Sequence, residues 1–296
     1  MRLSGLHLLL TLRCIYECDH CFVWGSPQKS ATMTLEMIRK IIRQGKELDG
    51  CRWIYFEGGE PFLYYAALVE GVREAAAAGF QVGVVSNGYW ATSLEDARES
   101  LRPFEGLVED LTVSSDLFHG SQMVSPQSRF VRQACEELKV PFNMISVCSP
   151  LDPQEPDTCG EGIDPSTVRF RGRAAEKLVS MDKGEESEQY RECPYEELGQ
   201  PDRVHIDPYG NLHVCQGIVI GNLLEKPLAE ISGEYDPAKH PIVGPVLEGG
   251  PHELARRSGL TSEGRFNDAC HLCYQTRKQL LSRHPRELGP SEMYGL

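Results

Sequence analysis

No apolar run in this chain approaches the roughly 20 residues that a membrane-spanning helix needs, which excludes a span of that kind. Runs rich in Lys and Arg are missing too. The chain carries 30 basic and 43 acidic residues, a net charge of −13, so nucleic acid and anionic membrane are excluded as natural partners. A secretory leader is also lacking: the apolar stretch from Leu3 to Leu12 is short, contains His7, and leads into a cysteine loop instead of a small-residue cleavage site. Against these absences stand eleven cysteines in 296 residues. Without a leader they point to metal rather than disulfides, and to the cytosol. The length suits one large α/β domain or about two domains.

From residue 5 to about 180, strand-like apolar runs alternate with helix-like periodic stretches, the pattern of repeated βα units around a parallel sheet. Strands are expected at 6–12, 52–56, 80–85, 107–113, 142–147 and 167–170. Thr34 reads as the N-cap of a helix whose apolar face is Leu35, Ile38, Ile41, Ile42 and Leu48. Pro61 opens a second helix that stops at Gly79, and a third runs from about Gln127 to Leu138. Six βα units are too few for a closed eight-stranded barrel and suit an open one. The expected fold class is therefore α/β, a partial (β/α)6 TIM-like barrel over residues 1–185, followed by a small α+β domain over 186–296. The acidic stretch from Asp182 to Glu188 reads as the linker. Beyond it, 204–207 and 211–215 flank Pro208-Tyr209-Gly210 as a hairpin. A short helix near Leu228 to Ile231, a region broken by Pro and Gly, and a final helix opened by Cys270-His-Leu-Cys273 complete the chain.

Cys14, Cys18 and Cys21 lie within eight residues just past the first strand. Iron–sulfur cubes take four thiolates as a rule, so a three-cysteine loop leaves one iron open to a ligand that is not protein. Zinc, with His20 as a fourth ligand, is the competing reading, and the spacing alone permits it. Further polar motifs fall at the C-terminal ends of the next strands, where parallel barrels bind ligands: Gly58-Gly59-Glu60-Pro61, Ser86-Asn87-Gly88 and Ser114-Ser115-Asp116. Taken singly, each is also ordinary turn or cap chemistry.

The cysteine spacing, followed in order by Gly58-Gly59-Glu60-Pro61, resembles the radical S-adenosylmethionine (radical SAM) enzymes over about residues 5 to 180. The resemblance implies a 4Fe-4S cluster on Cys14, Cys18 and Cys21 and S-adenosylmethionine chelating its open iron. Gly58, Gly59, Glu60 and Pro61 would take the ammonium end, and Ser86, Asn87, Ser114 and Asp116 would lie along the nucleoside. Arg171 and Arg173, in Arg-Gly-Arg-Ala, would help close the site. The implied chemistry is reductive cleavage to a 5′-deoxyadenosyl radical that abstracts hydrogen from substrate, so no acid/base residue is assigned.

Cys193, Cys215, Cys270 and Cys273 form a second constellation, similar to the SPASM and twitch extensions of that family. No cysteine follows Cys273, which argues for one fully ligated auxiliary 4Fe-4S cluster; a structural zinc is the alternative. Cys51, Cys135 and Cys148 read as buried apolar residues, Cys159 as an incidental loop cysteine, and His20, His119 and His271 as peripheral to the site. A low-potential donor of flavodoxin or ferredoxin type is the implied partner. Family analogy favours a peptide or protein substrate, with a small molecule or a non-catalytic electron carrier as the alternatives. With no extra domain before the first strand, leader-peptide recognition would fall to a separate partner or to the barrel itself.

Overall fold

The computed structural model describes residues 1–120, 124–148, 164–180, 184–260 and 264–296. Its centre is β1 (Gly5–Thr11), whose Leu6, Leu8, Leu9 and Leu10 are fully buried. Parallel strands continue away from it in sequence order: β2 (Trp53–Gly58), β3 (Gln81–Ser86), β4 (Asp110–Ser114), β5 (Phe142–Cys148) and β6 (Asp164–Thr167). Helices α1 (Leu35–Lys46), α2 (Tyr65–Ala77), α3 (Leu94–Leu101) and α4 (Pro126–Leu138) provide the crossovers. Thr34 caps α1 as the sequence predicts, its hydroxyl accepting from the Met37 amide. Pro61 opens a 3-10 turn, Pro61–Tyr64, that runs into α2. Strands rise from one end, so β1 to β4 all deliver their following loops to the same rim.

Two elements depart from expectation. The sixth strand ends at Thr167 instead of beginning there. Val168 and Phe170 instead join Ala174 and Leu178 in a small apolar cluster of their own, so their alternation records that packing and not a ladder. Helix α3, capped by Ser93, was not read from the sequence, because it has few apolar residues.

Past α5 (Ala174–Lys177) and the two-residue β7 (Glu185–Glu186) comes the expected hairpin, β8 (Arg203–Ile206) with β9 (Asn211–Cys215), then β10 (Ile218–Asn222). It does not form a separate sheet. β8 pairs parallel with β1, giving the order β10-β9-β8-β1-β2-β3-β4-β5-β6. Helices α6 (Leu228–Glu234), α7 (Val243–Arg257) and α8 (Ala269–Leu280) cover this end, with β11 (Arg265–Phe266) pairing β7. The Pro/Gly-broken region is α7, which is kinked at Gly249 and Gly250 just before Pro251. No described helix is long and apolar enough to cross a membrane.

Candidate active site

The loop after β1 carries its three thiols inward. Cys14 and Cys18 are each 9% exposed, and amide groups point at the sulfurs: Tyr16 N to Cys14 Sγ at 3.4 Å, Gly25 N to Cys21 Sγ at 3.2 Å and Asn87 Nδ2 to Cys14 Sγ at 3.5 Å. Burial, with mutual repulsion between the thiols, pushes Cys14 up to about 11 and Cys18 higher still. Two such groups side by side become thiolates together only around a cation, and the N–H···S donors to Cys14 and Cys21 match a cluster-bound sulfur.

Arg173 holds the loop in shape. Its buried guanidinium donates to Cys18 O at 2.7 Å and Gly25 O at 2.8 Å, spanning both ends of the loop. Gly172, at φ +59°, presses so closely on Cys21 and Phe22 that a Cβ would lie 2.5 Å from Cys21 O.

Beside the thiols lies a cavity of about 110 Å³ whose wall includes Cys14, Cys18, Cys21, Gly58, Gly59, Ser86, Asn87 and Ser114. Residues expected from four different strand ends therefore meet in one place. The Gly58-Gly59 turn is tied to the cysteine loop by Gly59 N to Thr11 O at 2.6 Å and Glu60 N to Arg13 O at 2.8 Å. A Cβ on Gly58 or Gly59 would fall 2.4 Å from Thr11 O or 2.1 Å from Arg13 O, so both positions require glycine. With those amides spent, what the turn can offer a ligand is carbonyl oxygen, an acceptor suited to an ammonium.

Three expected contacts have other placements. Glu60 is fully buried and absent from the wall; its carboxylate accepts from Ser86 Oγ at 2.9 Å, Asn87 N at 2.8 Å and Phe62 N at 3.0 Å. It pins the end of β2 to the end of β3. Pro61 is buried in the 3-10 turn that Glu60 caps. Asp116 is 1% exposed and accepts from His119 Nδ1 at 2.8 Å, Phe118 N at 2.9 Å and Val147 N at 3.3 Å. Burial opposes its ionisation, yet the His119 hydrogen bond holds it below its ordinary range. Conversely His119, read from the sequence as peripheral, lines the cavity together with Tyr16, His20 and Glu57. Strand parity was the available signal for Glu57, which lies two residues after inward-facing Tyr55.

The second constellation also converges. Cys193, Cys215 at the end of β9, and Cys270 and Cys273 on α8 surround a cavity of only about 20 Å³ with Arg171 and Arg277. Asp268 caps α8 by accepting from His271 N at 2.7 Å, which sets the two helical cysteines in its first two turns. Arg171 Nη1 reaches Cys215 Sγ at 3.7 Å and Glu196 Oε1 at 2.7 Å. Arg277, 2% exposed, donates to Gln216 O at 2.7 Å, while its Nε is buried with no hydrogen-bond partner among the described residues. Cys135 is buried and Cys51 and Cys148 are half-buried; Cys159 lies outside the described residues.

Comparisons agree with the geometry. Residues 8–116 match the family model described as the radical SAM superfamily. YydG of Bacillus subtilis (strain 168), a protein named for peptide biosynthesis, is 33% identical over 111 residues, which are 37% of this chain and 35% of YydG. A Pyrococcus furiosus protein, named as the cofactor-modifying protein of tungsten-containing aldehyde ferredoxin oxidoreductase, is 32% identical over 111 residues, 37% of this chain and 30% of that protein. The chain thus matches about a third of the length of these curated relatives. Among solved structures, anSMEcpe with bound AdoMet and the Cp18Cys peptide has a TM-score of 0.55 at 13% identity, covering 96% of this chain and 98% of that one. That likeness is one of fold.

Proposed function

We propose that this chain, an enzyme of the radical SAM superfamily, acts on a peptide or protein. The observation that carries the radical SAM chemistry of this reading is the meeting, on one cavity wall, of three converging thiols with the Gly58-Gly59 turn and the Ser86, Asn87 and Ser114 ends of β3 and β4. When bound to Cys14, Cys18 and Cys21, a reduced 4Fe-4S cluster supplies the electron that splits S-adenosylmethionine into methionine and the hydrogen-abstracting 5′-deoxyadenosyl radical. Around it, the Gly58-Gly59 carbonyls would take the ammonium of S-adenosylmethionine, and Ser86, Asn87 and Ser114 would hydrogen-bond along the nucleoside. The Arg173 clamp and Glu60 between β2 and β3 hold this wall in place, so positioning is the contribution of the chain.

Cys193, Cys215, Cys270 and Cys273 are assigned to a second, fully ligated 4Fe-4S cluster in a C-terminal twitch-like unit. Two features support iron–sulfur over zinc. A tetrahedral zinc sets its sulfurs only about 3.8 Å apart, whereas the described donor triplets within 4.8 Å of one another contain no cysteine. The orphaned Arg277 Nε also calls for an acceptor at the cavity, which a cluster sulfide would provide. Electrons would come from a flavodoxin- or ferredoxin-type donor in the cytosol.

The peptide reading rests on YydG; the Pyrococcus furiosus relative favours a small molecule as the second reading. Anaerobic, dithionite-reduced protein given S-adenosylmethionine should release 5′-deoxyadenosine, and no release with both clusters loaded would sink the proposal. A short peptide gene beside this one, its product mass-shifted on incubation with the enzyme, separates the two substrate classes.

A further inference from the structure

On the barrel-interior face, β8, β1 and β2 lie side by side, with His7 in register with His205 on one neighbour and Tyr55 on the other. Glu57, two residues beyond Tyr55, shares that face. His7 Nδ1 and His205 Nε2 both lie 3.1 Å from the same Glu57 oxygen, Oε1, and all three donors fall within 4.8 Å of one another. The side chains are only 13–18% exposed. Glu57 is also part of the cavity wall that carries the three loop thiols.

We propose that His7, Glu57 and His205 form a binding site for a divalent transition-metal ion on the wall of the active-site cavity, separate from both cysteine sites. Two imidazoles and one carboxylate are the donors that iron(II), manganese(II) and zinc(II) accept, leaving positions open for further ligands. Bonds of about 2.1 Å to one octahedral ion set neighbouring donors roughly 3.0 Å apart, which is the spacing seen on both sides of Glu57. The surroundings hold the donors in place. Tyr55 stacks on His7 at 4.6 Å, and its hydroxyl is fixed by Asp110 Oδ2 at 3.0 Å. Gln216 Nε2 packs against the His205 ring at 3.4 Å, and its Oε1 is buried with no hydrogen-bond partner among the described residues. The other compact set, His20, Asp116 and His119, differs in that Asp116 also accepts from two backbone amides, which hold its carboxylate in the turn after β4. The ion's open positions would face the cavity, where an oxygen or nitrogen donor of the substrate could complete them.

The test is a manganese(II) titration of the cluster-loaded, anaerobic enzyme followed by electron paramagnetic resonance. Manganese(II) is the probe because it prefers imidazole and carboxylate to the cysteine thiolates. One equivalent should bind per chain, with hyperfine coupling to two imidazole nitrogens. His7→Ala, His205→Ala and the size-preserving Glu57→Gln should each weaken that binding by at least about tenfold, with circular dichroism and visible cluster absorbance unchanged. Absence of bound manganese, equal binding in the variants, or bound manganese without nitrogen coupling would overturn the proposal. The nitrogen coupling is read on the unmutated enzyme, so a variant that misfolds does not blunt the test. No turnover is involved, so failure here leaves the radical SAM reading untouched.

Discussion

The two cysteine sites differ in how they are assembled and in what surrounds them. Cys14, Cys18 and Cys21 come from one loop and open onto a cavity of about 110 Å³ edged by glycine carbonyls, hydroxyls and an amide. Cys193, Cys215, Cys270 and Cys273 are gathered from three separate stretches around a space of about 20 Å³, with two arginines and mainly apolar neighbours. On the proposed reading, three thiols with room for a ligand would make the reactive site, and four thiols without room a closed one. Between them runs Arg171-Gly172-Arg173, which sends one guanidinium to each: Arg171 to Cys215 and Arg173 to the loop that holds Cys18. A single short segment thus supports both sites while facing them with different side chains.

The largest effect should come from removing the open site alone. Replacing Cys14, Cys18 and Cys21 together by alanine should abolish 5′-deoxyadenosine formation and take bound iron from about eight per chain to about four, as each cube holds four. Iron analysis beside product assay reads both at once. Loss of all iron would show that the two sites do not fill independently, and the contrast between them would fail.

Much of this contrast was legible in the residue order. The loop thiols announce themselves by close spacing, and the strand-end motifs by their position after apolar runs, since a parallel barrel delivers every such loop to one rim. Roles were less legible than positions. Glu60 looked like a ligand group because nothing in a sequence shows that Ser86, Asn87 and Phe62 will consume its carboxylate. Asp116 misled in the same way, and the cavity-lining histidine it holds, His119, was passed over. Pairing of β8 with β1, which brings His205 beside His7, joins residues nearly 200 positions apart and left no local signal. The sixth strand was misplaced because Val168 and Phe170 alternate for the sake of a separate apolar cluster.

A sharper division is expected from the two arginines. Arg173→Met removes two charged hydrogen bonds to loop carbonyls, a loss of about 3 kcal/mol that falls on the open site. Iron at the three-cysteine loop should drop while the second site stays filled. Arg171→Met should fall mainly on the second site, since its hydrogen bonds go to Cys215 and Glu196, although its guanidinium also lies over the Phe22 ring of the loop. Mössbauer or paramagnetic resonance spectra of the two clusters separate the outcomes. Equal damage to both clusters by both variants would mean that the segment acts as one unit.

A pH-dependent effect of similar size belongs to the β2–β3 wall beside the open site. Burial raises Glu60 to about 7 from an ordinary 4.5, against the pull of its three donors. Between those two values the folded chain keeps a proton that the unfolded chain has released, so stability falls as pH rises. The contribution is fully present below about 4.5 and is lost as pH passes about 7, an amplitude of about 3 kcal/mol. Glu60→Gln should flatten that part of the stability profile measured by denaturant titration at pH 5 to 8. Parallel profiles for the two proteins would show that the buried carboxylate does not titrate there.

The smallest effect tests the seam between the sites. Trp24, three residues after Cys21, donates from Nε1 to Tyr274 Oη at 2.9 Å, and Tyr274 directly follows Cys273. Tyr274 is buried and stacks on Tyr294, whose hydroxyl bonds to Gly217 O at 2.8 Å. One hydrogen bond therefore joins the loop of the open site to the helix of the closed one. Trp24→Phe keeps an aromatic face against Arg173 but deletes the donor, for a cost of about 1 kcal/mol, or about 2 °C in Tm. Calorimetry should find that shift with both clusters still loaded. A Tm unchanged by Trp24→Phe would mean that the bond contributes nothing net to the seam between the two sites.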